Sequence, residues 1–119
     1  MYAIVREDLK MSPGKMAAQT GHAFLDTYDL CRKEYPDRAA QYHDGCHGTK
    51  VVLGVRDLAE LEAVFERCKA AGLPTTKVVD SGHVLLPHFD GGEVVTCVGV
   101  GPVLRNESHH ITGQLKLVR

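Results

Sequence analysis

The junction Ser12-Pro13 limits the possible folds of this chain more than any other feature, because it follows a short β-forming run and opens a long helical pattern. A hydroxyl caps the free amides of a helix start, and proline at the first helical position loses no hydrogen bond. The spacing predicts a helix over about residues 13–34, with an apolar stripe from Met16, Ala17, Ala23, Phe24 and Cys31, and Thr20 and Tyr28 beside it. Pro36 stops it. Ahead of it, Tyr2 to Arg6 reads as a first strand and Glu7 to Met11 as a polar connection.

The same alternation continues along the chain. Lys50 to Val55 (KVVLGV) reads as a second, buried strand. Asp57 and Glu60 form a capping-box-like pair before a helix whose Leu58, Leu61, Phe65 and Cys68 follow helical spacing, and Gly72 and Pro74 close it. Thr75 to Asp80 is a third strand and Glu93 to Val100 a fourth, separated by the irregular SGHVLLPHFDGG. Glu34 to Thr49 is polar, carries Pro36 and two glycines, and reads as the longest loop, with room for a helical turn. A short helix or turn near Leu104 to His110 precedes the apolar ending LKLV. The expected fold class is α/β: a three-layer α/β/α sandwich with helices covering a small mixed four-stranded sheet. At 119 residues and 13.0 kDa the chain is expected to be a single domain, 1–119.

Charge narrows the partners. Fourteen Lys plus Arg against fifteen Asp plus Glu leave a net charge of −1, spread evenly, so no bulk basic field advertises a nucleic acid. Only local positive sites remain. The start MYAIVRED meets charge too early for a signal peptide, and no apolar run approaches the roughly 20 residues of a membrane span, so a cytoplasmic protein is expected. Cys31, Cys46, Cys68 and Cys97 contain no C-x-x-C pair and read as reduced thiols.

The first chemical candidate is Lys15. A cation in the first turn of a helix opposes the macrodipole, so something anionic must offset it or the side chain is simply solvated. Gly14 beside it lets a ligand approach the free amides, and phosphate is the natural guest. A Walker A reading fails on spacing, since Leu9 stands where the first glycine is needed and Met16 where Ser or Thr is needed. Asp80 is the second candidate: an acid at the carboxyl end of a strand is either a general base or a turn aspartate capping Gly82. His22, a helical step from Gln19, shares the face of Lys15 or is a bystander. His43, Cys46 and His47 have metal-compatible spacing without a paired motif for a fourth ligand, so no metal site and no cofactor is expected. No G-x-S-x-G occurs, and Cys97 sits mid-strand like a core thiol.

The segments VREDLKMSPGKMAAQTGHAF, KVVLGV, AAGLPTTKVVDSG, TCVGVGP and ITGQLKL resemble, in that order, the peptidyl-tRNA hydrolase type 2 family. The likeness covers most of the chain and is weakest across residues 35–48 and 83–92. It implies a small mixed sheet covered by helices, a protein that often forms homodimers, and metal-free hydrolysis of the ester between a peptide and the 3′ ribose of tRNA. It places the functional lysine on Lys15, the functional aspartate on Asp80, a site threonine on Thr96, and the helix signature on Gln19 and His22. Gly14, Gln19, His22 and His83 are the implied substrate-binding residues. After the aspartate the family reads A-G-R-T-Q, whereas this chain reads Ser81-Gly82-His83-Val84-Leu85: His83 replaces the arginine and Val84 the threonine hydroxyl. Either Thr96, His83 or a backbone amide takes up that work, or the enzyme is slow, altered in substrate or inactive. The alternative is a non-catalytic family member that binds tRNA, a nucleotide or a protein partner at the same helix start. Phosphate binding by Lys10, Lys15, Lys50, Arg56 and Lys77 requires that they share one face.

Overall fold

The computed structural model describes residues 1–118. In chain order the elements are β1 (Tyr2–Arg6), α1 (Pro13–Glu34), α2 (Pro36–His43), β2 (Val51–Val55), α3 (Leu58–Ala70), β3 (Thr75–Asp80), β4 (Val84–Leu85), β5 (Phe89–Asp90), β6 (Val94–Val100), α4 (Arg105–Thr112) and β7 (Lys116–Leu117). The main sheet has the order β3-β6-β1-β2-β7. Strand β1 runs parallel to β2 and antiparallel to β6, and β6 is antiparallel to β3. It follows that β1, β2 and β3 all point the same way, and their carboxyl ends share one edge of the molecule.

Strand alternation sorts the core into two layers. Ile4 packs with Leu61, Val64 and Cys68 of α3 and Ile111 of α4, while its neighbours Ala3 and Val5 pack with Ala23 and Met16 of α1 on the other face. This is the three-layer α/β architecture expected from the sequence. Ser12 caps α1 and Pro13 opens it; Asp57 caps α3 by accepting from the Glu60 amide at 2.9 Å. Helix α1 lies close on the sheet at Gly99, where any Cβ would collide with the Thr27 hydroxyl and the Ala23 carbonyl.

Three details differ from the expectation. The mixed sheet has five strands rather than four, because the apolar ending supplies β7, an edge strand that pairs Leu53 with Leu117 and Gly54 with Lys116. Two paired residues are too few to show a period of two in sequence. The segment read as irregular holds the β4–β5 hairpin, and the segment read as loop holds α2, whose only buried residue is Ala39. Each buries a single residue, so neither shows the apolar period that betrays an element. Among the described residues, no helix is long and apolar enough to cross a membrane.

Candidate active site

The parallel arrangement of β1 and β3 decides where the site lies. Helix α1 begins just beyond the carboxyl end of β1, and β3 ends at the same edge, so the start of the helix and Asp80 are brought together. In β3 the alternation turns Thr76, Val78 and Asp80 toward α1. Thr76 shares a 2.6 Å hydrogen bond with Thr27, and Val78 joins the α1-side core. Asp80 Oδ2 accepts from Lys15 Nζ at 2.7 Å. The two side chains are 15% and 19% exposed, so the pair is largely shielded yet open on one side. The macrodipole conflict noted for Lys15 is offset by this carboxylate.

The helix start itself is almost used up by its own cap. The Ser12 hydroxyl accepts from the Lys15 amide at 3.2 Å and the Ser12 carbonyl from the Met16 amide at 2.8 Å. Proline has no amide, so Gly14 carries the one first-turn N–H without an acceptor among the described residues. A Cβ at Gly14 would meet nothing within 4 Å, so the fold leaves this position open.

Thr96 reaches the site by a backbone irregularity. The register of β3 against β6 pairs Val78 with Cys97 but Val79 with Val95, which makes Thr96 the extra residue of a β-bulge. The bulge turns Thr96 to the α1 side next to Cys97. There its hydroxyl donates to Gln19 Oε1 at 2.6 Å, and the Cys97 thiol donates to the Gln19 carbonyl at 3.3 Å. Thr96 is fully buried, so it meets the surface only through Gln19. Burial also pushes the Cys97 thiol up to about 12 and that of Cys68 up to about 11, which keeps both protonated and unreactive.

Gln19, His22 and Asp80 line one cleft of about 340 Å³, together with Asp26, Lys77, Val78 and Val79. Lys15 and Asp80, with Gln19 and Thr96, thus form one connected set, and the exposed His22 stands on its rim. His83 and Val84 do not line this cleft. Val84 is 68% exposed on the β4–β5 hairpin, and the His83 ring packs edge-on against Phe89, with centroids 5.1 Å apart. Phe89 was not legible in the sequence as a site residue, yet it is 2% exposed and its ring centroid lies 4.4 Å from Lys15 Nζ.

A second groove, of about 920 Å³, borders the start of α1 and is lined by Arg6, Glu7, Lys10, Met11, Met16, Lys116, Leu117 and Val118. Arg6 is held by the Asp8 carboxylate at 2.8 Å and donates to the Val95 carbonyl, so Lys10 and Lys116, facing Glu7, are the cations this groove offers. The cations named from sequence do not all gather there. Lys50 lies just ahead of β2, at the opposite edge of the sheet, and donates to the His47 carbonyl; Arg56 pairs with Glu60, and Lys77 with Glu62. Among the described residues no three His, Cys, Asp or Glu side chains form a metal-holding group. His43 instead packs edge-on against Tyr28 and Tyr42.

Comparison with known proteins bears on what this set of residues does. The family described as peptidyl-tRNA hydrolase PTH2 matches residues 1–118. The peptidyl-tRNA hydrolase of Methanopyrus kandleri is 38% identical over 116 residues, covering 98% of this chain and 95% of that protein. That of Methanothermobacter thermautotrophicus is 35% identical, covering 97% and 96%. The human protein named peptidyl-tRNA hydrolase 2, mitochondrial, is 33% identical over 98% of this chain and 63% of its own length. With a match along its whole described length and relatives of this identity, the chain belongs to the peptidyl-tRNA hydrolase PTH2 family.

Proposed function

We propose that this enzyme hydrolyses the ester joining a peptide to the 3′ ribose of tRNA, with the Lys15–Asp80 pair at its centre. The observation that carries the assignment is that this pair lies at the shared carboxyl edge of β1 and β3, largely shielded but open on one side, in a chain that belongs to the PTH2 family throughout. Lys15 donates one hydrogen bond to one Asp80 oxygen, so the other carboxylate oxygen is available to take the proton of a water. That water attacks the ester carbonyl carbon. The negative charge that develops on the carbonyl oxygen is offset by the Lys15 ammonium. The bond to the ribose oxygen then breaks, that oxygen takes the proton held by Asp80, the new peptide carboxyl group gives its proton to solvent, and peptide and tRNA leave.

The other residues support this step in different ways. Thr96 is a positioning residue: fully buried, it fixes the Gln19 amide that lines the cleft. His22 and the amide of Gly14 contact the substrate, the latter taking a phosphate of the tRNA 3′ end. Lys10 and Lys116 in the groove beside the start of α1 supply local positive charge for further phosphates, which the net charge of −1 does not reveal. Val84 contributes no hydroxyl, and its exposed position takes it out of the reaction. The cytoplasm as the place of action belongs to the same reading, and a homodimer as the assembled form rests on the resemblance to the family; sedimentation at assay concentration checks the dimer.

The test is release of the acyl group from an N-blocked aminoacyl-tRNA by the wild-type chain. Release well above the uncatalysed rate is expected. No release beyond that rate overturns the assignment.

A further inference from the structure

We propose that Phe89 is a positioning residue for Lys15, its ring holding the ammonium beside Asp80 and so fixing the cation for the hydrolysis proposed above. The β4–β5 hairpin has little else to fasten it. Its two strands pair Val84 with Asp90 and Leu85 with Phe89, and the Gly82 amide donates to the Gly91 carbonyl at 3.2 Å and the Gly91 amide to the His83 carbonyl at 2.9 Å, all bonds within the hairpin itself. Val84, Leu85 and Leu86 are 68%, 59% and 73% exposed, whereas Phe89 is 2% exposed, so this ring is what anchors the hairpin to the body of the protein. A two-stranded hairpin alone is marginal in water. The anchor lands in the α1-side core with Leu9, Met11 and Val78, and its face meets Lys15 Nζ at 4.4 Å.

That contact suits the chemistry of a catalytic lysine. The four-carbon side chain of lysine is flexible, and one hydrogen bond to Asp80 leaves the ammonium free to swing about it. An aromatic face attracts the cation through its quadrupole without consuming an N–H donor. Lys15 therefore gains a second point of attachment and keeps donors for the substrate oxygen. The His83 ring, edge-on to Phe89 at an interplanar angle of 85°, supports the ring from another side. A phenylalanine that merely filled the core would need none of this geometry, and the distinction is measurable.

The decisive series keeps the shape and changes the quadrupole: phenylalanine at 89 replaced by its mono-, di- and trifluorinated analogues, with Phe89→Tyr and Phe89→Leu as natural counterparts. With N-blocked aminoacyl-tRNA, kcat is expected to fall stepwise with fluorination to about three- to tenfold below wild type, with KM within about twofold. Phe89→Tyr retains the rate, and Phe89→Leu loses about tenfold or more. A kcat indifferent to fluorination, or a loss in Phe89→Leu that only tracks its unfolded fraction, overturns the proposal. Because the proposal rests on the hydrolase reading, a second measurement avoids substrate altogether: a urea-unfolding cycle of Phe89→Leu with Lys15→Met. Non-additivity of about threefold or more in the unfolding equilibrium constant is expected, and strict additivity refutes the contact whatever the enzyme cleaves.

Discussion

Lys15–Asp80 and Arg38–Glu107 are both ion pairs that join distant stretches of this chain, and they differ in how much of their bonding capacity is spent. Arg38 grips Glu107 with two nitrogens at 2.6 and 2.9 Å and also donates to the Pro102 carbonyl, while Glu107 accepts in addition from the Leu104 amide at 2.7 Å. That fork is nearly saturated and ties α2 to the start of α4. Both pairs border a cleft, and Arg38 and Glu107 are the more exposed, but Lys15 and Asp80 share a single bond, with an aromatic face beneath the ammonium. A saturated pair serves the fold, whereas an unsaturated one has capacity left for a substrate.

The sharpest way to break this comparison is to remove the acid of the open pair. Asp80→Ala is expected to lower acyl release from N-blocked aminoacyl-tRNA by about a hundredfold or more, a loss typical of a group acting directly in the transition state. If release persists at more than a tenth of the wild-type rate, Asp80 is not the base. Removing a partner of the closed pair should give the opposite pattern. Arg38→Ala is expected to cost about 1–2 kcal/mol in urea unfolding, because it strips donors from a half-buried carboxylate, with kcat within about twofold of wild type. A large loss of kcat in the folded variant would erase the distinction between the two pairs.

Thr96→Val tests the layer beneath the open pair. It leaves the buried Gln19 side-chain oxygen Oε1 without its donor, which costs about 1–3 kcal/mol in stability, and it loosens the cleft wall. Thr96→Ser restores the hydroxyl and is expected to recover both stability and rate; failure of that rescue would mean that packing rather than the hydrogen bond matters there.

The smallest effect concerns acid. The bond from Arg38, reinforced by the Leu104 amide, holds the Glu107 carboxyl below its usual range. A folded-state value depressed in this way adds stability that is fully present above the unfolded carboxylate range. It is lost as pH falls through the folded value. Thermal stability should therefore decline on acidification below about pH 4.5, and Glu107→Gln should flatten part of that decline. An identical acid profile in the variant would show that the pair contributes nothing to it.

Much of the site was legible in the residues because it depends on chain direction and strand period. Ser12-Pro13 marks the helix start, and TTKVVD marks a strand whose last residue is an acid. If the two strands run parallel, Lys15 and Asp80 lie at the same edge of the sheet. What escaped depends on contacts that leave no period. Phe89 lies in a hairpin that buries one residue, so SGHVLLPHFDGG carries no alternation pointing inward. The bulge at Thr96 is invisible in EVVTCVGV, since both threonine and cysteine suit a strand, and only the shifted register turns both to one face. Arg38 and Glu107 are 69 positions apart, and nothing local in either sequence window joins them. The fifth strand leaves no period either, because β7 has only two paired residues.

Whether Lys15 serves the reaction rather than the fold is decided by single-turnover acyl release by Lys15→Ala, read beside its thermal unfolding. The expected result is a rate at least about a hundredfold below wild type in a protein whose melting temperature moves by no more than a few degrees. A wild-type rate in the folded variant, or a loss no greater than its unfolded fraction, would contradict it.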